Sequence, residues 1–212
     1  MERIMFESLA PEEIERKSFA IIEAELGERA FDAVNAPIIK RCIHTSADFD
    51  YADALYFSEG AVSHMRETLR KGATVVTDTR MAEAGINRRL AEKFGIQVRC
   101  FMADDDVAQE AVKRHVTRAV ASMEKAFTLA GPVLFAVGNA PTALLRLSYA
   151  IQHEGFTPAG IIAVPVGFVN VVESKEAIMR TGVPCIVAQG RKGGSSIAAA
   201  IMNALLLGMK GL

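Results

Sequence analysis

Amphipathic segments of helical period alternate along the chain with short runs rich in β-branched residues. The first helix is predicted to run from Pro11, with Glu12 and Glu13 at the positive end of its dipole, to a stop at Gly27. Ile14, Ser18, Ile21, Ile22 and Leu26 lie around it, with Ser18 on or beside the apolar face. A serine there can equally be a tolerated small residue bonded to its own backbone. Pro37 opens a second helix carrying Ile38, Ile39, Cys42 and Ile43 at helical spacing. His44 follows directly, entering a polar loop with Asp48 and Asp50. The aromatic and acidic stretch 49–58 reads as an irregular or short helical cover. A helix over 60–70 then leads into the first clear strand, Ala73 to Asp78, which ends in Thr77-Asp78-Thr79-Arg80.

The pattern continues with a helical segment over 81–94, broken around Gly85-Ile86-Asn87, and a strand over 96–101. Asp104, Asp105 and Asp106 offer N-caps for one long helix reaching about Leu129. The strand over 132–137 runs through Gly138-Asn139-Ala140-Pro141-Thr142 into a helix over 143–153. Another strand, 159–164, opens onto Pro165-Val166-Gly167-Phe168 and precedes a helix over 174–181. The last strand, 184–189, meets the loop Gly190-Arg191-Lys192-Gly193-Gly194-Ser195-Ser196 and the final helix, 197–207. This alternation predicts an α/β fold: three αβα layers around a mostly parallel sheet of about five or six strands, with right-handed crossovers. With no internal repeat and no long linker, a single domain over residues 1–212 is expected. Ligands of such sheets sit beyond the carboxyl ends of the strands. Those ends carry Asp78-Thr79-Arg80, Gly138-Asn139, Val166-Gly167 and Gly190-Arg191-Lys192.

Composition agrees with strands covered on both faces: half of the 212 residues are hydrophobic and 23% are charged. A formal net charge of −1 gives no global attraction to nucleic acid or an anionic membrane, so an acidic ligand needs local cations and amides. The N-terminal Met1 to Glu7 lacks the pattern of a signal peptide, and no apolar run approaches the length of a membrane span. Cys42, Cys100 and Cys185 form no C-x-x-C pair, which predicts reduced thiols and a cytoplasmic protein. The four histidines are scattered and none has a Cys or His partner at ligand spacing, so no metal site is expected. The acid run 104–106 reads as a solvated cap, and the basic run Lys113, Arg114, His115 and Arg118 as a solvated face.

Imidazole is the side chain whose ordinary pKa lies near neutrality, which makes His44 the candidate acid/base group. A G-x-G-x-x-G turn, a Walker A loop and a G-x-S-x-G elbow are all absent, which disfavours a nucleotide-binding enzyme and a hydrolase. The loop from Arg191 to Ser196 fits an anion site at a helix N-terminus, but helix-start packing explains Gly193 and Gly194 equally well.

Six segments in order carry a resemblance: Ser18-Phe19, Arg41-x-x-His44, Gly138 to Ala143, Pro165 to Val169, Glu173-Ser174-Lys175 and Gly190 to Ser195. The series resembles the precorrin-8X methylmutases, also called cobalt-precorrin-8 methylmutases, from about Ser18 to the C-terminus. The resemblance implies an isomerase without cofactor that acts on a tetrapyrrole, and a homodimer with sites near the subunit interface. It makes His44 the catalytic acid/base and Ser18, Arg41 and Arg118 substrate contacts, with Thr79 or Arg80 matching the family at the end of the first strand. Asn139, Arg191 and Lys192 join them as binding candidates whose role can also be structural. A carrier that binds a corrin without converting it needs the same clamp and remains the second reading.

Overall fold

The protein is described by a computed structural model over residues 10–209. The signal-peptide reading of Met1 to Glu7 lies outside these residues. Helices are α1 (Pro11–Leu26), α2 (Ala36–Ser46), α3 (Tyr51–Ala54), α4 (Ala61–Arg70), α5 (Arg80–Gly85), α6 (Arg88–Lys93), α7 (Asp105–Arg114), α8 (Arg118–Ala126), α9 (Pro141–His153), α10 (Val171–Met179) and α11 (Ser195–Leu207). Strands are β1 (Leu55–Phe57), β2 (Thr74–Thr77), β3 (Gln97–Arg99), β4 (Val133–Val137), β5 (Gly160–Ala163) and β6 (Cys185–Ala188). They form one sheet in the order β1-β6-β5-β4-β2-β3, parallel except for β1. This is the expected three-layer α/β architecture.

Three local readings change. Within the stretch expected to be irregular or short helical cover, α3 is that short helix, but residues 55–57 form an antiparallel edge strand, Tyr56 opposite Val187. An edge strand of three residues is too short for alternation to announce it. The expected long helix is two, because His115 adopts a left-handed conformation (φ 53°) and closes α7. Thr117 then starts α8, its hydroxyl accepting the Val120 amide at 3.2 Å. His44 lies within the last turn of α2 rather than after it.

The central strands send alternate residues to opposite layers. Val75, Leu134, Ala136, Ile162 and Ile186 face a core built with α2, α4 and α11. Val76, Phe135, Val137, Ile161 and Val187 face one built with α7, α8, α9 and α10. Helix α11 is the centre of the first layer, with nine of its thirteen residues buried. Its alanines let neighbours approach closely: a Cβ added to Gly85 would lie 2.8 Å from that of Ala199.

Strand order reverses between β2 and β4, so the crevice of the sheet opens there. Gly138, just past β4, touches the start of α11: a Cβ on it would lie 2.7 Å from Ser195 Cα and 2.9 Å from Gly194 C. Backbone on that side cannot swing away as a flexible side chain would. Gly138→Ala is therefore expected to destabilise the protein by about 2 kcal/mol. Urea unfolding checks this; an unchanged midpoint would mean that β4 and α11 do not meet so closely.

Candidate functional site

At the switch point the chain places one buried acid. Asp78 follows β2, is 1% exposed, and its carboxylate accepts the amides of Gly138 (2.8 Å), Asn139 (2.8 Å) and Ala140 (2.6 Å). Burial pushes this carboxyl above its ordinary range, while the three amide bonds pull against that shift. The turn that begins α9 is thus tied to the end of β2. Thr79 continues the same structure, accepting the Ala82 amide as the cap of α5 and bonding the Ser195 hydroxyl at 2.7 Å. Asn139 is exposed beside this tie, and its backbone amide is what Asp78 holds.

The glycine loop before α11 is fixed from below. Gly193 has φ 156°, and a Cβ there would meet the Val164 carbonyl oxygen at 2.1 Å, so only glycine fits. The Gly194 amide donates to that carbonyl at 2.8 Å. Lys175 of α10, 1% exposed, donates Nζ to the carbonyls of Gly190 and Lys192, each at 2.8 Å. Desolvation pulls its ammonium down to about 8. The Lys192 side chain points outward, its Nζ 2.6 Å from Asp48 and also bonded to Asp50. The loop that follows His44 is thereby tethered to the approach of α11.

His44 is exposed at the end of α2, and its ring stacks on Phe19 of α1 at 5.0 Å between centroids and 10° between planes. Arg41, one turn earlier on the same helix face, holds its guanidinium 4.8 Å from that Phe19 ring and bonds Glu15 at 2.6 Å. Ser18 donates its hydroxyl to the Ile14 carbonyl at 2.9 Å, the local bond open to any helical serine. A shallow cleft lined by Pro11, Glu12, Ile14, Glu15 and His44 opens here. Arg118 begins α8 and is exposed, while Thr117 beside it meets Thr142 at 3.0 Å, which brings it to the start of α9.

The predicted residues therefore fall into three groups. Arg41 and His44 gather around the ring of Phe19, next to Ser18 in α1; Thr79, Asn139, Arg191 and Lys192 lie where β2, β4 and β6 end; Arg118 lies in the opposite layer. The Lys192 bridge to Asp48 and Asp50 joins the first two groups. A cavity of about 760 Å³ lined by Glu83, Arg88 and Arg99 includes none of them. Sequence reasoning gave no role to Phe19, Glu15, Asp78 or Lys175. An acid closing an apolar strand was the available signal for Asp78.

A sequence model of the family described as precorrin-8X methylmutase matches residues 13–207. The chain belongs to the precorrin-8X methylmutase family. The cobalt-precorrin-8 methylmutase of Leptospira interrogans is 42% identical over 202 residues, covering 92% of each chain. That of Salmonella typhimurium is 44% identical, covering 92% of this chain and 94% of its own. The crystal structure of a precorrin-8X methyl mutase from Thermus thermophilus matches with a TM-score of 0.85 and 39% identity, covering 92% of this chain and 96% of that one. Methylmutases are isomerases, and this family makes the chain an isomerase of cobalamin biosynthesis. No helix among the described residues is long and apolar enough to cross a membrane.

Two outcomes follow from this geometry. Asp78→Asn turns one acceptor oxygen into an NH₂ group facing amide donors, so a loss of about 1–3 kcal/mol is expected in denaturant unfolding; wild-type stability would refute the tie. The second concerns the Lys192 bridge. Its hydrogen bond holds the Asp48 carboxyl below the ordinary 3.8, and both acids push the Lys192 ammonium up to about 12. A lowered acid stabilises above its unfolded pKa and loses that contribution as pH falls through its folded value. A raised amine stabilises fully below 10.5 and loses that contribution as pH climbs through about 12. Amide protection over residues 46–50 should thus hold steady from about pH 5 to 9 and fall below about pH 4. A fall already between about pH 7 and 5 would contradict the assignment.

Proposed function

We propose that the protein moves a methyl group between adjacent ring carbons of precorrin-8X or cobalt-precorrin-8, giving hydrogenobyrinate or its cobalt counterpart, cobyrinate. The observation that carries this reading is His44, exposed at the end of α2 with its ring stacked on Phe19 and Arg41 beside the same ring. Stacking fixes the plane of the imidazole and leaves its nitrogens to face a ligand. His44 acts as general acid/base, passing a proton to the ring that bears the migrating methyl and taking one back as the product forms. Once the conjugated system reaches the right tautomer, the methyl shifts in a concerted sigmatropic step that conserves atoms and electrons. The step calls for a placed proton and a rigid clamp rather than a nucleophile.

The clamp is assigned to Ser18, Arg41, Thr79, Arg118, Asn139, Arg191 and Lys192. Unlike Arg41, Arg118 and Arg191 have no ion-pair partner among the described residues and are ready to grip a peripheral carboxylate in bidentate fashion. Arg41 and Lys192 already face acids, so their part is to orient the loops around His44 as much as to hold substrate. The cleft at His44 is shallow for a macrocycle, which supports a homodimer in which a second copy completes the enclosure. We take residues 1–212 to work as a single domain in the cytoplasm.

His44→Ala is expected to bind the tetrapyrrole while losing about 10²–10⁴-fold in turnover. Anaerobic conversion of precorrin-8X, followed by its visible spectrum, is the measurement, with the cobalt substrate run in parallel. Equal conversion by mutant and wild type would remove His44 from the chemistry. Binding of both substrates by the wild type without conversion of either would make the protein a carrier.

A further inference from the structure

The loop between β5 and α10 exposes three apolar side chains in succession around a glycine: Val166 (49%), Phe168 (82%) and Val169 (76%). So much exposed apolar surface on one tip would ordinarily go with a loose loop, but this one is built rigidly. Gly167 has φ 145° and Asn170 φ 57°, two conformations that bend the backbone sharply. The Gly167 amide donates to the Arg191 carbonyl at 3.2 Å. Lys175 holds the carbonyls on either side, those of Gly190 and Lys192. Three consecutive carbonyls are thus engaged from within, and the Arg191 guanidinium lies 5.4 Å from the centroid of the Phe168 ring. A flat ring and a cation are presented together, on the loop whose next residue bonds the Asp48 segment after His44.

We propose that Phe168 and Arg191 form a preorganised subsite for a flat, conjugated ring fringed with carboxylates, with Lys175 as the positioning residue that holds it. This rests on the tetrapyrrole reading above and extends it to residues for which that reading gives no stacking partner. The occupant follows from chemistry on the page. The Phe168 face not covered by Arg191 can meet a conjugated face, and the guanidinium over the other face recognises a carboxylate at the rim. The three bonds to consecutive carbonyls mean that little ordering is left for binding to impose. Lys175 also explains itself in this role. An ammonium buried without a carboxylate partner is costly, and two carbonyls that reach it only from this loop give it a place.

The test is titration of hydrogenobyrinate into wild type, Phe168→Ala, Arg191→Ala, the double mutant and Lys175→Met, read from the visible spectrum, with sedimentation measured on each. Each alanine should weaken binding about tenfold, and the pair should cost less than the product of the two. Lys175→Met should reproduce the Arg191→Ala loss, and hydrogen exchange should quicken at residues 190–194 while the rest of the fold keeps its protection. If that variant does not fold, Lys175→Gln, which keeps a donor without the charge, is read by the same criterion. Phe168→Ala with wild-type affinity would overturn the subsite, as would loss of dimer in that variant, which would make the tip a protein interface. Unchanged exchange at 190–194 would remove Lys175 from the positioning role whatever the ligand. A wild type that fails to bind hydrogenobyrinate would instead bring down the tetrapyrrole reading, and the subsite with it.

Discussion

Much at the carboxyl edge of the sheet depends on one carboxylate. Asp78 sits where strand order reverses and the backbone of two neighbouring strands diverges, so amides at the start of the β4–α9 turn have no sheet partner. Three of them converge on its two oxygens. A buried carboxylate is expensive to desolvate, and only a concentrated set of donors makes it tolerable. The same bonds fix the direction in which Asn139 and the first turn of α9 leave the sheet. Thr79, the next residue, carries the connection on to Ser195 and hence to α11. Two polar residues in sequence thus join the ends of β2 and β4 to the central helix of one layer.

Around that anchor the protein uses charge in two ways. Inside, Asp78 and Lys175 each face backbone groups of a turn rather than an opposite side chain, which sets loop shape with little dependence on rotamers. Outside, Lys192 joins Asp48 and Asp50 in a solvent-exposed cluster that couples the turn after α2 to the turn before α11. Exposed ion pairs contribute little to global stability, and their effect here is geometric. They add a side-chain link between two loops whose bases the β1–β6 pairing already brings together.

The architecture was legible in the sequence because buried parallel strands are continuous apolar runs and their helices keep a 3.6-residue period. What escaped was local. Leu55 to Phe57 looks like part of an aromatic cover, and its pairing is decided by β6, more than a hundred residues away. The break at His115 carries neither glycine nor proline, so nothing in the helical period announced it. At the site, motif resemblance picked out His44, Arg41 and Arg118, whose side chains reach the surface, and gave no role to Asp78 or Lys175. Both stood in segments that the sequence singled out, but their partners are backbone atoms, so no partner residue pattern told what they hold. Gly193 illustrates the opposite limit: the sequence left packing and anion binding equal, and the contact with the Val164 carbonyl accounts for the glycine by packing alone.

The antiparallel edge strand has a consequence for how the molecule comes into being. Leu55 pairs with Ala188, and the loop after His44 is fastened to Lys192, so the earliest third of the chain is completed by nearly the last. A ribosome releases residues 10–60 long before either partner exists. Contacts so distant in sequence form late because the intervening loop must close first. The parallel strands β2, β4 and β5 can meet while the chain is still growing, and Phe19 and Arg41 already lie beside His44, but the Asp48 and Asp50 loop waits for β6 and the turn beyond it. A truncated product lacking those last residues would carry the histidine with its Phe19 contact and most of the sheet, yet not the Lys192 bridge to Asp48 and Asp50. Closing the loop after α2 therefore requires a chain made at least as far as Lys192.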